Sequence, residues 1–270
     1  MSARLRCFVV ALLLLALLPR AGGDEPLRIA LADETEWGGA VPEDVRRVLG
    51  SAARALLDHV PESGLPPLEV RASGGPIVLH ERGDGGLVRI RLNTGGNLWS
   101  QYAYQFAHEL CHVVCRYDRD PTGNQWFEES LCELASLFVL RRMAERWATE
   151  PPYPNWRDYA PHLAAYATAR IDGARLPEGT TLADWYRANR SALATVATDR
   201  QRNTVVAAAL LPLFEAEPAH WAAVPYLNEA MPTAPQPFRE YLADWRRRVP
   251  PERRATVAAI AAAFGQTVPE

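Results

Sequence analysis

The pattern of apolar and polar positions changes character at about Asn93. Before it, short stretches of two different periods alternate. Leu27 to Ala32 reads as a short strand. From Pro42 to Val60, the residues Val45, Val48, Leu49, Ala52, Leu56 and Leu57 recur at helical spacing and form one stripe. Glu43 and Asp44 follow Pro42 in the first turn, where the helix dipole favours carboxylates. Pro67 to Ala72, Ile77 to Glu81 and Leu87 to Asn93 read as strands, the last two joined by a Gly83-Asp84-Gly85-Gly86 loop as a hairpin. Val88, Ile90 and Leu92 share one face of the final strand. Arg89, Arg91 and Asn93 share the other, which is predicted to be solvated.

Beyond the turn at Thr94-Gly95-Gly96-Asn97 the pattern is helical. A helix is predicted over Leu98 to Arg116 and another over Gln125 to Trp147. The first is apolar nearly all round, as a buried helix is. The second has a strongly apolar later half, with Leu134, Leu137, Phe138, Leu140 and Met143. Thr149 to Asn155 is a linker-like break. Five further helices are predicted, over Tyr159 to Ile171, Leu182 to Ala197, Arg202 to Glu215, Phe238 to Arg247 and Pro251 to Phe264. This divides the chain into an α/β part (24–98), a helix pair (99–150) and a helical lobe (151–270).

The helix pair carries the candidate chemistry. His108-Glu109-Leu110-Cys111-His112 is a complete H-E-x-x-H. Residues four apart on a helix lie almost above one another, so His108 and His112 aim two imidazoles at one point. Two such nitrogens suit a Zn²⁺ ion, and Glu109 is placed to reach a water on that metal rather than the metal itself. Histidines in a buried helix need partners or a metal in any case. Glu129 and Glu133 stand four apart at the start of the second apolar helix, where carboxylates are expensive unless paired. Glu128 suits helix-dipole compensation.

Together these residues resemble the gluzincins, the thermolysin-like clan of zinc peptidases. There a glutamate on the helix after H-E-x-x-H is the third ligand, in a segment matched here by Trp126-Phe127-Glu128-Glu129-Ser130-Leu131-Cys132-Glu133. The resemblance covers Leu87 to Met143. It implies a zincin-like α+β fold, with an N-terminal mixed sheet, a mostly helical lobe and the active site between them. It implies zinc held by His108, His112 and Glu129, with Glu109 as general base and Glu133 fixing His108 from behind. It also implies that Leu87 to Asn93 edges the cleft and pairs with substrate backbone. The spacer between His112 and Glu129 is shorter than is usual in the clan, which leaves Glu128 and Glu133 open beside Glu129. The oxyanion-stabilising residue of the clan has no match. Tyr159, His162, Tyr186 and His220 lie in the relevant region and read as structural.

The remaining composition narrows this picture. Arg4 and Arg6 precede an apolar run from Phe8 to Leu18 and the small residues Ala21-Gly22-Gly23, which reads as a signal peptide over 1–23. The expectation is therefore an exported protein, periplasmic or extracellular, with no later membrane span. A net charge of −3 gives no electrostatic case for nucleic acid, and the absence of lysine excludes Schiff-base chemistry. Cys111, Cys115 and Cys132 remain in the mature chain. Either Cys132 bridges to Cys111 or Cys115, or all three are small buried residues. The expected function is hydrolysis of a peptide or protein substrate. The rivals are a non-catalytic zinc-binding protein, a zinc hydrolase of a non-peptide amide such as cell-wall material, and a thiol enzyme. The last leaves the glutamates unexplained.

Overall fold

A computed structural model describes residues 27–61, 64–229 and 233–269. The expected signal segment lies outside these residues. The alternation before Asn93 becomes β1 (Ile29–Leu31), α1 (Pro42–Leu57), β2 (Leu68–Arg71), β3 (Ile77–Val78) and β4 (Val88–Arg91). The strands form one sheet in the order β1-β2-β4-β3, with β1, β2 and β4 parallel and β3 antiparallel to β4. The apolar stripe of α1 buries Val45, Val48, Leu49, Ala52 and Leu56 as its spacing requires. Val88, Ile90 and Leu92 are buried, while Arg91 is exposed and Arg89 pairs with Glu69 across β2.

The sheet order corrects one expectation. β4 is hydrogen-bonded on both sides and is not an edge strand. The edge beside β4 is β3, with only two residues in the ladder rather than the five from Ile77 to Glu81, although the Leu79 amide still donates to the Arg89 carbonyl. Gly75 sets its path. A Cβ there would stand 2.1 Å from the Arg91 carbonyl oxygen, so only glycine lets the chain approach β4 this closely.

The helical part follows as α2 (Trp99–Val114), α3 (Gln125–Trp147), α4 (Ala160–Asp172), α5 (Leu182–Thr195), α6 (Arg200–Ala216), α7 (Phe238–Arg248) and α8 (Arg254–Ala263). A 3-10 stretch over Pro218–Tyr226, which carries no helical period, fills the gap between α6 and α7. α3 is the axis of the fold. Ser130 to Leu140 is buried without interruption, because α1, α2, α4 and α6 all pack on it. Its first turn is fixed by Trp126 and Phe127, which meet Phe238 and Phe264. The molecule is thus α+β, a small mixed sheet joined to a larger helical part. Among the described residues no helix is long and apolar enough to cross a membrane.

Candidate metal centre

α2 and α3 lie antiparallel. Tyr104 meets Glu133 and Ser136, while His112, two turns later, meets Glu128. α2 ends directly after the second histidine. Arg116 takes the left-handed conformation (φ 56°), and the Tyr117 amide reaches back to the His112 carbonyl at 3.0 Å while the Arg116 amide reaches Val113. This paired closure satisfies the last carbonyls of the helix and turns Tyr117 into a cleft of about 340 Å³. The cleft lies between β3 on one side and α2, α3 and the start of α6 on the other.

His108, Glu109, His112, Glu129 and Glu133 all line it. The Nε2 atoms of His108 and His112 lie 3.4 Å and 3.8 Å from the same oxygen, Oε2 of Glu129. Both gaps are too long for good hydrogen bonds. They approach the separation of about 3.3 Å between ligands held 2.0–2.1 Å from one tetrahedral centre. These three side chains therefore offer converging donors for a metal ion. They are partly exposed to the cleft, which leaves room for a further ligand from solvent or substrate.

A carboxylate stands behind each histidine, hydrogen-bonded to His112 and at longer range from His108. Nδ1 of His108 faces Oε2 of Glu133 at 3.5 Å. The other oxygen of Glu133 accepts from the Tyr104 hydroxyl and from Thr204 Oγ1 on α6, at 2.8 Å for the latter. Nδ1 of His112 donates to Glu128 Oε1 at 2.6 Å, and Oε2 of Glu128 accepts from Asn228 Nδ2 at 2.6 Å. Glu128 is thus a buried ring partner rather than a group serving only the helix dipole. The adjacent pair Glu128-Glu129 at the buried start of α3 was the available signal for it. Asn228 and Thr204 stand far off in sequence and carry no local signal. Replacing Glu128 with Gln is expected to weaken metal affinity by about 10–100-fold, the usual effect of removing a ligand's supporting carboxylate. A competitive zinc titration checks this, and an unchanged affinity would show that Glu128 supports only the fold.

Burial opposes charge on every one of these groups, and the neighbours decide the outcome. For His108, burial disfavours the imidazolium, but Glu129 and Glu133 outweigh it and hold the pKa well above the usual value. His112 is raised likewise, with Glu128 overcoming burial. Glu129 and Glu133 are held below the carboxylate range despite burial, chiefly by His108. Glu109 goes the other way. Burial pushes its carboxyl up against the pull of His108, His112 and the Val78 backbone amide. In the metal-free chain the carboxylates therefore favour the protonated form of both rings, and a cation must compete with those protons. Affinity is expected to fall as pH falls, approaching about 100-fold per unit where both rings are protonated. Zinc titrations between about pH 5 and 7 read this directly, and a flat profile would be inconsistent with these two rings as ligands.

Tyr159, His162, Tyr186 and His220 do not line the cleft. Tyr186 packs among Trp126, Phe238 and Phe264, and His220 meets Thr256. The polar groups that do line it beyond the metal residues include His80, Tyr117, Arg200 and Asn203. Cys111, Cys115 and Cys132 are fully buried, face away from the cleft and form no disulfide. No family model, curated protein or solved structure matches the chain.

Proposed function

We propose that the chain is a zinc-dependent peptidase of zincin-like fold, exported if the N-terminal segment acts as a signal peptide. One observation carries the reading: two imidazole nitrogens and a Glu129 oxygen converge on an open cleft, with Glu109 beside them and outside the ligand set. A zinc ion held there by His108, His112 and Glu129 would supply an acidified water, with a pKa of about 7, and Lewis-acid polarisation. Glu109 would accept a proton from that water and pass it to the leaving amine, a task that favours a carboxyl raised by burial. Glu133 and Glu128 hold the rings of His108 and His112 so that both Nε2 atoms face Glu129.

The substrate reading follows from β3. An edge strand along the cleft can add one extended strand by main-chain hydrogen bonds, which recognises peptide backbone with little demand on sequence. Ile77–Val78 takes the role first expected of Leu87 to Asn93. Arg200 brings a positive charge to the cleft wall. The test is zinc analysis of the purified chain together with release of peptides from an unfolded protein such as casein. One zinc per chain and chelator-sensitive proteolysis are expected. Bound zinc without hydrolysis would leave a metal-binding protein, and hydrolysis of amide-linked cell-wall material alone would change the substrate class.

A further inference from the structure

A cysteine stands three positions beyond each ligand candidate: Cys111 after His108, Cys115 after His112 and Cys132 after Glu129. Three residues turn a helix by about 300°. That rotation takes each side chain from the cleft face into the interface between α2 and α3. All three are fully buried, all three are free, and their Sγ atoms lie within 4.8 Å of one another. Three sulfurs bound about 2.3 Å from one trigonal centre are about 4 Å apart. The thiols therefore need to close by less than about an ångström to share an ion.

We propose that Cys111, Cys115 and Cys132 form a second metal site, closed to solvent, that takes Cu(I). Soft thiolates select Cu(I), zinc or iron–sulfur clusters. A closed zinc site takes four ligands, and the cysteines supply three. The nearest nitrogen donor is His112, which donates from Nδ1 to Glu128 and faces Glu129 with Nε2. An iron–sulfur cluster takes four cysteines, and three sulfurs meet here. Three-coordinate Cu(I) needs neither a fourth ligand nor a solvent opening. Loading involves no electron transfer: Cu(I) enters as Cu(I), copper–sulfur bonds form, and displaced thiol protons leave to solvent. Cys132 also lies within 4.8 Å of ligand atoms of His112 and Glu128, so the two sites abut.

The proposal does not rest on the hydrolytic reading, and its test contains no substrate. The reduced full chain is given Cu(I) anaerobically, in buffer containing zinc, against bicinchoninate as competitor. One copper per chain is expected, with sulfur as its only near neighbours in copper-edge X-ray absorption of the unsubstituted protein. Cys115→Ser and Cys132→Ser are each expected to weaken retention by about 100-fold or more, while His108→Ala leaves it unchanged. Failure to retain copper, nitrogen neighbours in the absorption spectrum, or retention that follows His108 instead of the cysteines would each overturn the proposal. The absorption measurement needs no variant, so it decides even where a cysteine substitution disturbs folding.

Discussion

Glu109→Gln is expected to lower kcat by about 10²–10⁴-fold while zinc content stays at one per chain. The substitution keeps the side chain's size and its hydrogen-bonding reach but removes the basic oxygen. Glu109 is buried against the cleft, so the swap leaves no cavity and exposes no new surface. It stands outside the group of converging ligand atoms, so the metal has no reason to leave. Its carboxyl is lifted by burial and pulled down by the two histidines, a balance no structural ion pair requires. The effect should fall on kcat with KM little changed, because the lost proton transfer belongs to the transition state. Zinc analysis, circular dichroism and steady-state kinetics on one preparation separate the outcomes. Activity within about tenfold of the parent, with full zinc, would remove Glu109 from the chemistry and leave the metal assignment standing.

Local patterns in the sequence proved informative wherever the deciding forces are local. α3 begins and ends at Gln125 and Trp147 as expected, because its apolar density and the break after it need no distant partner. α1 keeps its stripe and ends three residues early, at Leu57. The histidines and Glu129 are legible because helical spacing alone makes them converge. β3 is different. Two residues have no period, and sheet order depends on which strands hydrogen-bond, so the resemblance points to β4 as the cleft edge while the ladder makes its neighbour β3 the edge. The partners behind the histidines divide in the same way. Tyr104 lies one helical turn before His108 on the same stripe, whereas Thr204 and Asn228 reach the site through the packing of the helical lobe. The choice between a disulfide and three buried thiols depends on packing, and Cys111, Cys115 and Cys132 are all free and buried.

The short spacer after His112 left three glutamates open as the third ligand, and their substitutions are expected to behave differently. Glu129→Ala removes the oxygen that both Nε2 atoms face. Closed zinc sites bind with about 10–16 kcal/mol shared over four ligands, or roughly 2.5–4 kcal/mol for each. Losing one ligand should therefore weaken zinc by about 10²–10³-fold, and activity should fall with it. Glu128→Ala and Glu133→Ala remove partners of the outer nitrogens, for which about 10–100-fold is expected. The two supporting variants also differ from each other. Glu133→Ala strands the buried Tyr104 hydroxyl, at a cost of about 1–3 kcal/mol, while Thr204 keeps its bond to the Arg200 carbonyl, so its melting temperature should fall further than that of Glu129→Ala. Glu129 is partly exposed to the cleft, and its removal leaves each histidine a second carboxylate, Glu133 or Glu128, and strands no buried hydroxyl. Zinc titration and thermal unfolding of the three metal-free variants give the order. Tighter zinc binding by Glu129→Ala than by Glu128→Ala would transfer the third ligand to Glu128 and overturn the converging set on which the peptidase reading stands.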